Sequence, residues 1–366
     1  MSVFAVGELR AVRQAGLRDL LARDGLDGLL VTALPNIRYL TGFTGSAALL
    51  LVTGAETVLL TDFRYATQAP DEVEGEVEVQ VERVNLWDGL KRRLEGGTIG
   101  RLGFERDRLT VRDSDRLTAM GGRETVGTSG LAESLRVRKD PSEVAAIRDA
   151  AALAVDALTA VLRFIRPGLT ELEVAAELES ELRRRGSEWH PFQSIVASGP
   201  RSALPHARST KRVIERGDFL LLDFGAQVRG YCADITRTFV VGAAATERQR
   251  RIYNVVRAAQ SRAKETIAAG MSGRQADLLA REVIETEGFG DAFGHSLGHG
   301  LGLEVHEDPR LSQTNESALP AGAVVTVEPG VYLEGWGGVR IEDDVWLGAH
   351  GSECLSHAPT ELIELM

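Results

Sequence analysis

Two apolar runs in this chain each stop on a carboxylate: Gly217-Asp-Phe-Leu-Leu-Leu-Asp223 and Gly322-Ala-Val-Val-Thr-Val-Glu328. A buried-looking strand that ends in an acid makes poor core, and here the pattern occurs twice. Each acid is followed by a Gly-rich connection and then by a second acid, Asp234 or Glu342. Gly225 and Gly230 lie in the first connection, and Pro329-Gly330 and Gly335-Trp-Gly-Gly338 in the second, as in hairpins or bulges between paired strands. Such hairpins can turn both acids of a pair to one face. Four acids at one place cannot all stay ionised in a low dielectric without a cation. His299 lies between the two pairs. Oxygen-rich donors with one imidazole suit divalent metals such as manganese. Four acids and an imidazole can hold two such ions, and two-metal hydrolases set theirs ~3.5–4 Å apart with a bridging oxygen as nucleophile.

The duplication extends to the helices. Gly168-Leu-Thr170-Glu-Leu-Glu173 opens a helix with a capping box, and the helix ends near Gly186. Gly270-Met-Ser272-Gly-Arg-Gln275 opens another that ends near Gly288. The offset is 272 − 170 = 102 residues, and the acids repeat at 328 − 223 = 105. Each unit reads as helix, helix, then antiparallel strands carrying two acids. A long unit repeated only twice is a pseudo-symmetric domain, with its site where the halves meet.

Upstream, residues 1–130 alternate short apolar runs with helical patterns, as α/β domains do. Strands are expected at Gly28–Thr32, Ala47–Val52, Thr57–Leu60, Val77–Val84 and Thr98–Phe104. The alternation in Val77–Val84 predicts one wet face. This part holds no histidine and reads as a structural or gating domain. Gly127–Leu131 reads as a linker, and Asp140-Pro141-Ser142-Glu143 as the start of an Ala-rich helix ending before Pro167-Gly168.

A length of 366 residues allows two domains, and a net charge of −11 argues against a nucleic-acid surface. No apolar stretch is long enough to span a membrane. The residues from Met1 to Glu8 do not read as a secretory signal. Cys232 and Cys354 form no metal or redox spacing, so a cytoplasmic, reducing location is the default.

Gly294-His295-Ser-Leu-Gly-His299-Gly-Leu-Gly-Leu-Glu-Val-His306-Glu307 is rich in glycine and histidine, which suggests close approach of backbone to a ligand. It lacks the Lys-Ser/Thr of a P-loop and the His-Glu-x-x-His of zincins. This segment, with Val327-Glu-Pro-Gly-Val-Tyr332 and Val339-Arg-Ile-Glu-Asp343, closely resembles the M24 metallopeptidases, in the branch of prolidase and aminopeptidase P. Asp223-Phe-Gly and Gly230-Tyr-Cys-Ala-Asp234-Ile-Thr-Arg-Thr resemble that family's first metal motif, and Asn36–Ser46 resembles a segment of its N-terminal domain.

The resemblance implies an α/β (α+β) chain: a creatinase-like N-terminal domain over 1–130, then a pseudo-symmetric pita-bread catalytic domain over 131–366. It implies two divalent ions per subunit, manganese or cobalt first and zinc or iron as alternatives, held by Asp223, Asp234, His299, Glu328 and Glu342. Asp234 and Glu342 would bridge them, and Glu328 would take the proton of the attacking water. His306 and His206 would steady the scissile carbonyl and the intermediate. His295 would line a proline pocket. Tyr332 and Arg340 match supporting positions near Glu328 and Glu342, and Arg310 could meet a substrate carboxylate. His190, His350 and His357 read as surface or loop residues, and Cys232 as packing. The implied activity is hydrolysis of Xaa-Pro bonds in short peptides by a homodimer, most simply a proline dipeptidase. Alternatives are an aminopeptidase P acting on longer peptides and an ectoine-hydrolase-like amidohydrolase on the same fold.

Overall fold

A computed structural model describes residues 6–96 and 99–366. The N-terminal residues 1–5, and Thr98 at the expected start of a strand, lie outside the described residues. By contact density the chain divides into residues 1–136 and 137–366. Among the described residues, no helix is long and apolar enough to cross a membrane.

The first unit is built on a six-stranded sheet, in the spatial order Glu78–Glu82, Thr57–Asp62, Ala48–Thr53, Gly28–Val31, Arg101–Glu105 and Glu124–Thr128. Ala48–Thr53 runs antiparallel to both neighbours, and the other pairings are parallel. The central strands Gly28–Val31 and Ala48–Thr53 are buried throughout. The edge strand Glu78–Glu82 is largely open to solvent, but the expected alternation fails, because Val81 is exposed while Glu82 is buried with Gln80 and Arg92 bonded to it. The expected linker at 127–131 is instead the end of the sixth strand and the start of helix Leu131–Arg136. Glu-Thr-Val-Gly-Thr is a weak strand sequence, and its pairing with Arg101–Glu105 decides the matter. The helix belongs with this unit: Arg136 Nη1 donates to Asn36 Oδ1 (2.7 Å). The division therefore falls after residue 136 rather than 130.

In the second unit, capping boxes start four helices: Asp140/Glu143 for Pro141–Val161, Thr170/Glu173 for Glu171–Arg184, Thr246/Gln249 for Glu247–Thr266 and Ser272/Gln275 for Gly273–Thr286. Helix Pro141–Val161 buries Ala146, Ala150, Ala151, Ala154 and Ala157, so it can sit close to its neighbours. One sheet has the order Glu364–Leu365, Ile235–Val241, Phe219–Phe224, Ile195–Ser198. The other has the order Glu307–Leu311, Gly298–Gly300, Val324–Val327, Asp343–Gly348, Gly351–Cys354.

The repeat is visible at the level of single bridges. The helix-capping residue Thr170 bridges antiparallel to Val213, and Ser272 bridges Ala318, partners offset by 318 − 213 = 105 residues. Between each pair of acids lies a short ribbon: Gln227–Val228 with Tyr231–Cys232, and Gly330–Leu333 with Gly337–Arg340. The first ribbon turns through Arg229 and Gly230, both at positive φ (50° and 80°), the conformation that suits a two-residue hairpin.

A buried polar cluster ties the halves together. Glu342 N donates to Thr236 O (3.1 Å). The next residues form an ion pair, Arg237 Nη2 to Asp343 Oδ1 at 2.6 Å, with side chains 2% and 0% exposed. Arg237 also donates to the carbonyls of Glu342, Thr236, Pro359 and Ala358. Asp343 Oδ2 accepts from Gln260 and from Lys264, each at 2.7 Å. Removing the guanidinium leaves Asp343 with Lys264 as its one remaining cation and four buried carbonyls without their Arg237 donor, so Arg237→Met is expected to cost about 3 kcal/mol. Denaturant unfolding of this unit measures it, and a loss below about 1 kcal/mol would mean that surface-like screening operates there.

Candidate metal centre

The residues that the sequence reading selected meet at one cavity of the second unit, of about 560 Å³. All of them line it except Tyr332, which stands behind the wall. The four acids arrive from the two repeats by register. Asp223 pairs with Thr236 across the first sheet, and Val327, beside Glu328, pairs with Asp343 across the second. His299 sits at the centre of the three-residue strand Gly298–Gly300. Its flanking glycines are required by neighbouring backbone. A Cβ on Gly298 would lie 2.0 Å from Thr326 O, and one on Gly300 would lie 2.0 Å from Asp308 O.

His299 has an assigned tautomer. Its Nδ1 lies 3.0 Å from the carbonyl oxygen of Gly300, which can only accept, so Nδ1 carries the proton. Burial and the neighbouring His306 hold its pKa down to about 3, so the ring is neutral. Nε2 therefore presents a lone pair, and it faces Glu328 Oε1 at 3.4 Å and Asp234 Oδ2 at 3.9 Å. A lone pair against carboxylate oxygens is repulsive until a proton or cation comes between them. Asp234, His299 and Glu342 offer donor atoms that all lie within 4.8 Å of one another.

The acids carry the same signature. Burial and the neighbouring Glu342, Asp223 and Glu328 raise the pKa of Asp234 well above the usual carboxylate range. Burial, Glu328 and Asp223 do the same to Glu342. Burial pushes Glu328 up to about 7, against the opposing field of Arg340. Asp223 Oδ1 and Asp234 Oδ1 are buried with no hydrogen-bond partner. Unpartnered buried oxygens beside an oriented imidazole lone pair form a donor set that fits divalent cations.

Around this set runs a chain of hydrogen bonds. Arg340 donates to Asp223 Oδ2 (2.5 Å), Thr236 Oγ1 (3.0 Å) and Tyr332 Oη (2.8 Å). Thr236 Oγ1 donates to Glu342 Oε2 (2.5 Å), and Thr326 Oγ1 donates to Glu328 Oε1 (3.1 Å). His295 Nδ1 bonds the carbonyl of Ser296 (2.8 Å), so its Nε2 accepts from Tyr332 Oη (2.9 Å). With both nitrogens engaged and its pKa held near 4 by burial, His295 offers the cavity an apolar ring edge. Tyr332 and Arg340 are likewise taken up by protein partners.

His206, His306 and Arg310 are exposed to the cavity. His306 packs edge-on against His299, with ring centroids 4.3 Å apart. The guanidinium of Arg310 makes no hydrogen bond or ion pair among the described residues, although it lines the cavity. His350 and His357 are exposed, and His190 stacks on Trp189 at 4.6 Å. Cys232 is buried. Sequence reasoning missed Thr236, Thr326 and Asp344, whose Oδ2 accepts from Asp234 N (3.2 Å). Thr236 was within reach, because in an extended strand it shares a face with Asp234.

Residues 145–349 match the family described as Metallopeptidase family M24, and residues 13–138 match the Creatinase/Prolidase N-terminal domain. An uncharacterized peptidase, YqhT, of Bacillus subtilis (strain 168) is 44% identical over 95% of this chain and 99% of its own length. An Xaa-Pro dipeptidase of Pyrococcus horikoshii is 36% identical over 94% of this chain and 97% of its own length. Among solved structures, an Xaa-Pro dipeptidase from Bacillus anthracis matches with a TM-score of 0.94 at 42% identity, covering 97% of this chain and 99% of that one. An X-Pro aminopeptidase from Thermotoga maritima MSB8 matches at 0.89 and 38%, covering 96% and 99%.

Acids held protonated by the fold lose stability when they ionise. The cost in metal-free protein therefore grows as pH rises from the ordinary carboxylate range, about 4.3 for glutamate, through the value of about 7 for Glu328. A divalent cation removes that cost. The rise in melting temperature on adding manganese to stripped protein is thus expected to be larger by a few degrees at about pH 7.5 than at about pH 5. Equal rises at both would contradict the electrostatic reading.

Proposed function

The chain belongs to metallopeptidase family M24, and from that premise we propose that it is a proline dipeptidase, cleaving the bond between an N-terminal residue and a C-terminal proline. The observation that carries this reading is the unpartnered guanidinium of Arg310 on the wall of the cavity that holds the acids and His299. A dipeptide ends in a carboxylate, and a guanidinium pairs with it bidentately.

Two divalent ions per subunit, manganese or cobalt first, would be held by Asp223, Asp234, His299, Glu328 and Glu342. Bound there, the ions would polarise the scissile carbonyl and let water ionise near neutral pH. The protein's own groups do the rest. Glu328, anchored by Thr326 Oγ1, takes the proton of the attacking water. His306 and His206 donate to the oxygen that gains charge as the carbonyl becomes tetrahedral. The ring edge of His295, fixed by Tyr332 and Ser296, forms part of the wall for proline. Arg340 keeps Asp223 and, through Thr236, Glu342 in place. Neither cysteine is in a disulfide, in keeping with a reducing, cytoplasmic setting, and a homodimer is the state that family likeness suggests.

A second reading, release of the first residue from longer Xaa-Pro peptides, is favoured by the likeness to the Thermotoga maritima aminopeptidase. The two separate on matched Xaa-Pro and Xaa-Pro-Yaa peptides, assayed with metal-stripped protein given manganese, cobalt or zinc. Cleavage confined to the dipeptide is expected, whereas efficient cleavage of the longer peptide would move the assignment. No cleavage of either with any metal would sink the peptidase reading in favour of small amide substrates.

Two substitutions sharpen the test. Arg310→Met should raise KM for Xaa-Pro by about 10- to 100-fold and leave an Xaa-Pro amide nearly unchanged, since a charge-assisted hydrogen bond is worth ~1.5–3 kcal/mol. Equal losses on acid and amide would exclude the carboxylate contact. His306→Ala should lower kcat by about 10²- to 10³-fold, the usual cost of an oxyanion donor. A change confined to KM would assign it to binding instead.

A further inference from the structure

We infer that Lys139 and Glu307 form a buried ion pair whose task is to position His306, and this rests on the role proposed for His306 above. The ammonium of Lys139 lies 3.1 Å from Glu307 Oε2, with side chains 0% and 7% exposed. Such a pair is costly to bury and is often replaceable by apolar residues without loss of stability, so its use lies in fixing geometry.

The geometry it fixes is that of a tight loop. Glu307 follows His306 directly, and its other oxygen, Oε1, accepts from Glu304 N at 3.0 Å. The carboxylate thus closes the turn that carries His306. The loop wraps so closely that a Cβ on Gly302 would lie 2.7 Å from Glu307 Oε2. On its far side, Cys232 N donates to Gly302 O (2.8 Å), joining the loop to the hairpin of the first repeat. The His306 ring makes no hydrogen bond of its own among the described residues. It takes its place over His299 from the backbone on either side, and Glu307 is the nearer anchor.

Lys139 is itself held firmly. Its N donates to Gly322 O (2.9 Å), at the head of the run that ends in Glu328. Asp140, the next residue, caps helix Pro141–Val161. Lys139 falls between the two matched segments, 13–138 and 145–349. Lys139 and Glu307 are positioning residues, acting on the reaction only through the imidazole they place.

A double-mutant cycle tests this on an Xaa-Pro dipeptide with the metal-loaded protein, using Glu307→Gln, Lys139→Met and His306→Ala. Glu307→Gln keeps an acceptor for Glu304 N and removes the charge. It is expected to lower kcat by about 10- to 100-fold, the scale of a misplaced group, with KM within about twofold and metal content unchanged. In the His306→Ala background the same change should cost less than about threefold, because there is no imidazole left to place. Full multiplication of the two losses would overturn the proposal, as would loss of metal with Glu307→Gln. If Lys139→Met fails to fold, Lys139→Met/Glu307→Gln removes the stranded charge and must show the same kcat loss and the same non-additivity. Inactive wild-type protein would instead count against the peptidase reading itself.

Discussion

The second unit is organised around a charge imbalance that protein alone does not settle. Asp234, Glu328 and Glu342 are pushed toward protonation by burial and by one another, while His299 turns an unprotonated nitrogen toward two of them. A core left to itself would place apolar side chains here. The hydrogen bonds around the set do not neutralise it. Arg340 reaches only one oxygen of Asp223, and the other is left without a partner. What the surroundings do is hold the acids against their repulsion, so the energetic cost of gathering them is carried by the fold before any cation arrives.

The duplication makes this gathering possible. Each half brings one acid at the end of a buried strand and a second after a short ribbon, and neither half alone has more than two. The halves join two residues beyond Asp234, where Thr236 meets Glu342 and Arg237 meets Asp343. Alternation along the strand divides the work. Thr236 faces the acids and completes their hydrogen bonds, while Arg237, on the opposite face, pairs into the core and locks the register. A slip of one residue would exchange these two surfaces and scatter the site.

Much of this was legible in the sequence because it is written in local chemistry. The capping boxes at Thr170 and Ser272 name their helices outright, and acids closing apolar runs are hard to explain as core. The first unit was legible where strands are apolar and less so at Glu124–Thr128, whose identity depends on its neighbour. Side-chain partnerships across long separations were not legible. Lys139 with Glu307, Arg237 with Asp343, and Tyr332 between His295 and Arg340 depend on which loops fold against which strands. The packing need for glycine on either side of His299 was hidden for a related reason. That need is set by the backbones of Thr326 and Asp308, which are close only after folding.

The order of these groups along the chain has a consequence for how the protein is made. A ribosome delivers Asp223 and Asp234 first, then His299 and Glu328, and Glu342 last. The first-repeat hairpin can form while the second repeat is still being synthesised, but Thr236 has no Glu342 to bind and Arg237 no Asp343. Until then the first pair of acids lacks the contacts that hold it against the second. The complete donor set therefore exists only after the second repeat has been made and has packed against the first.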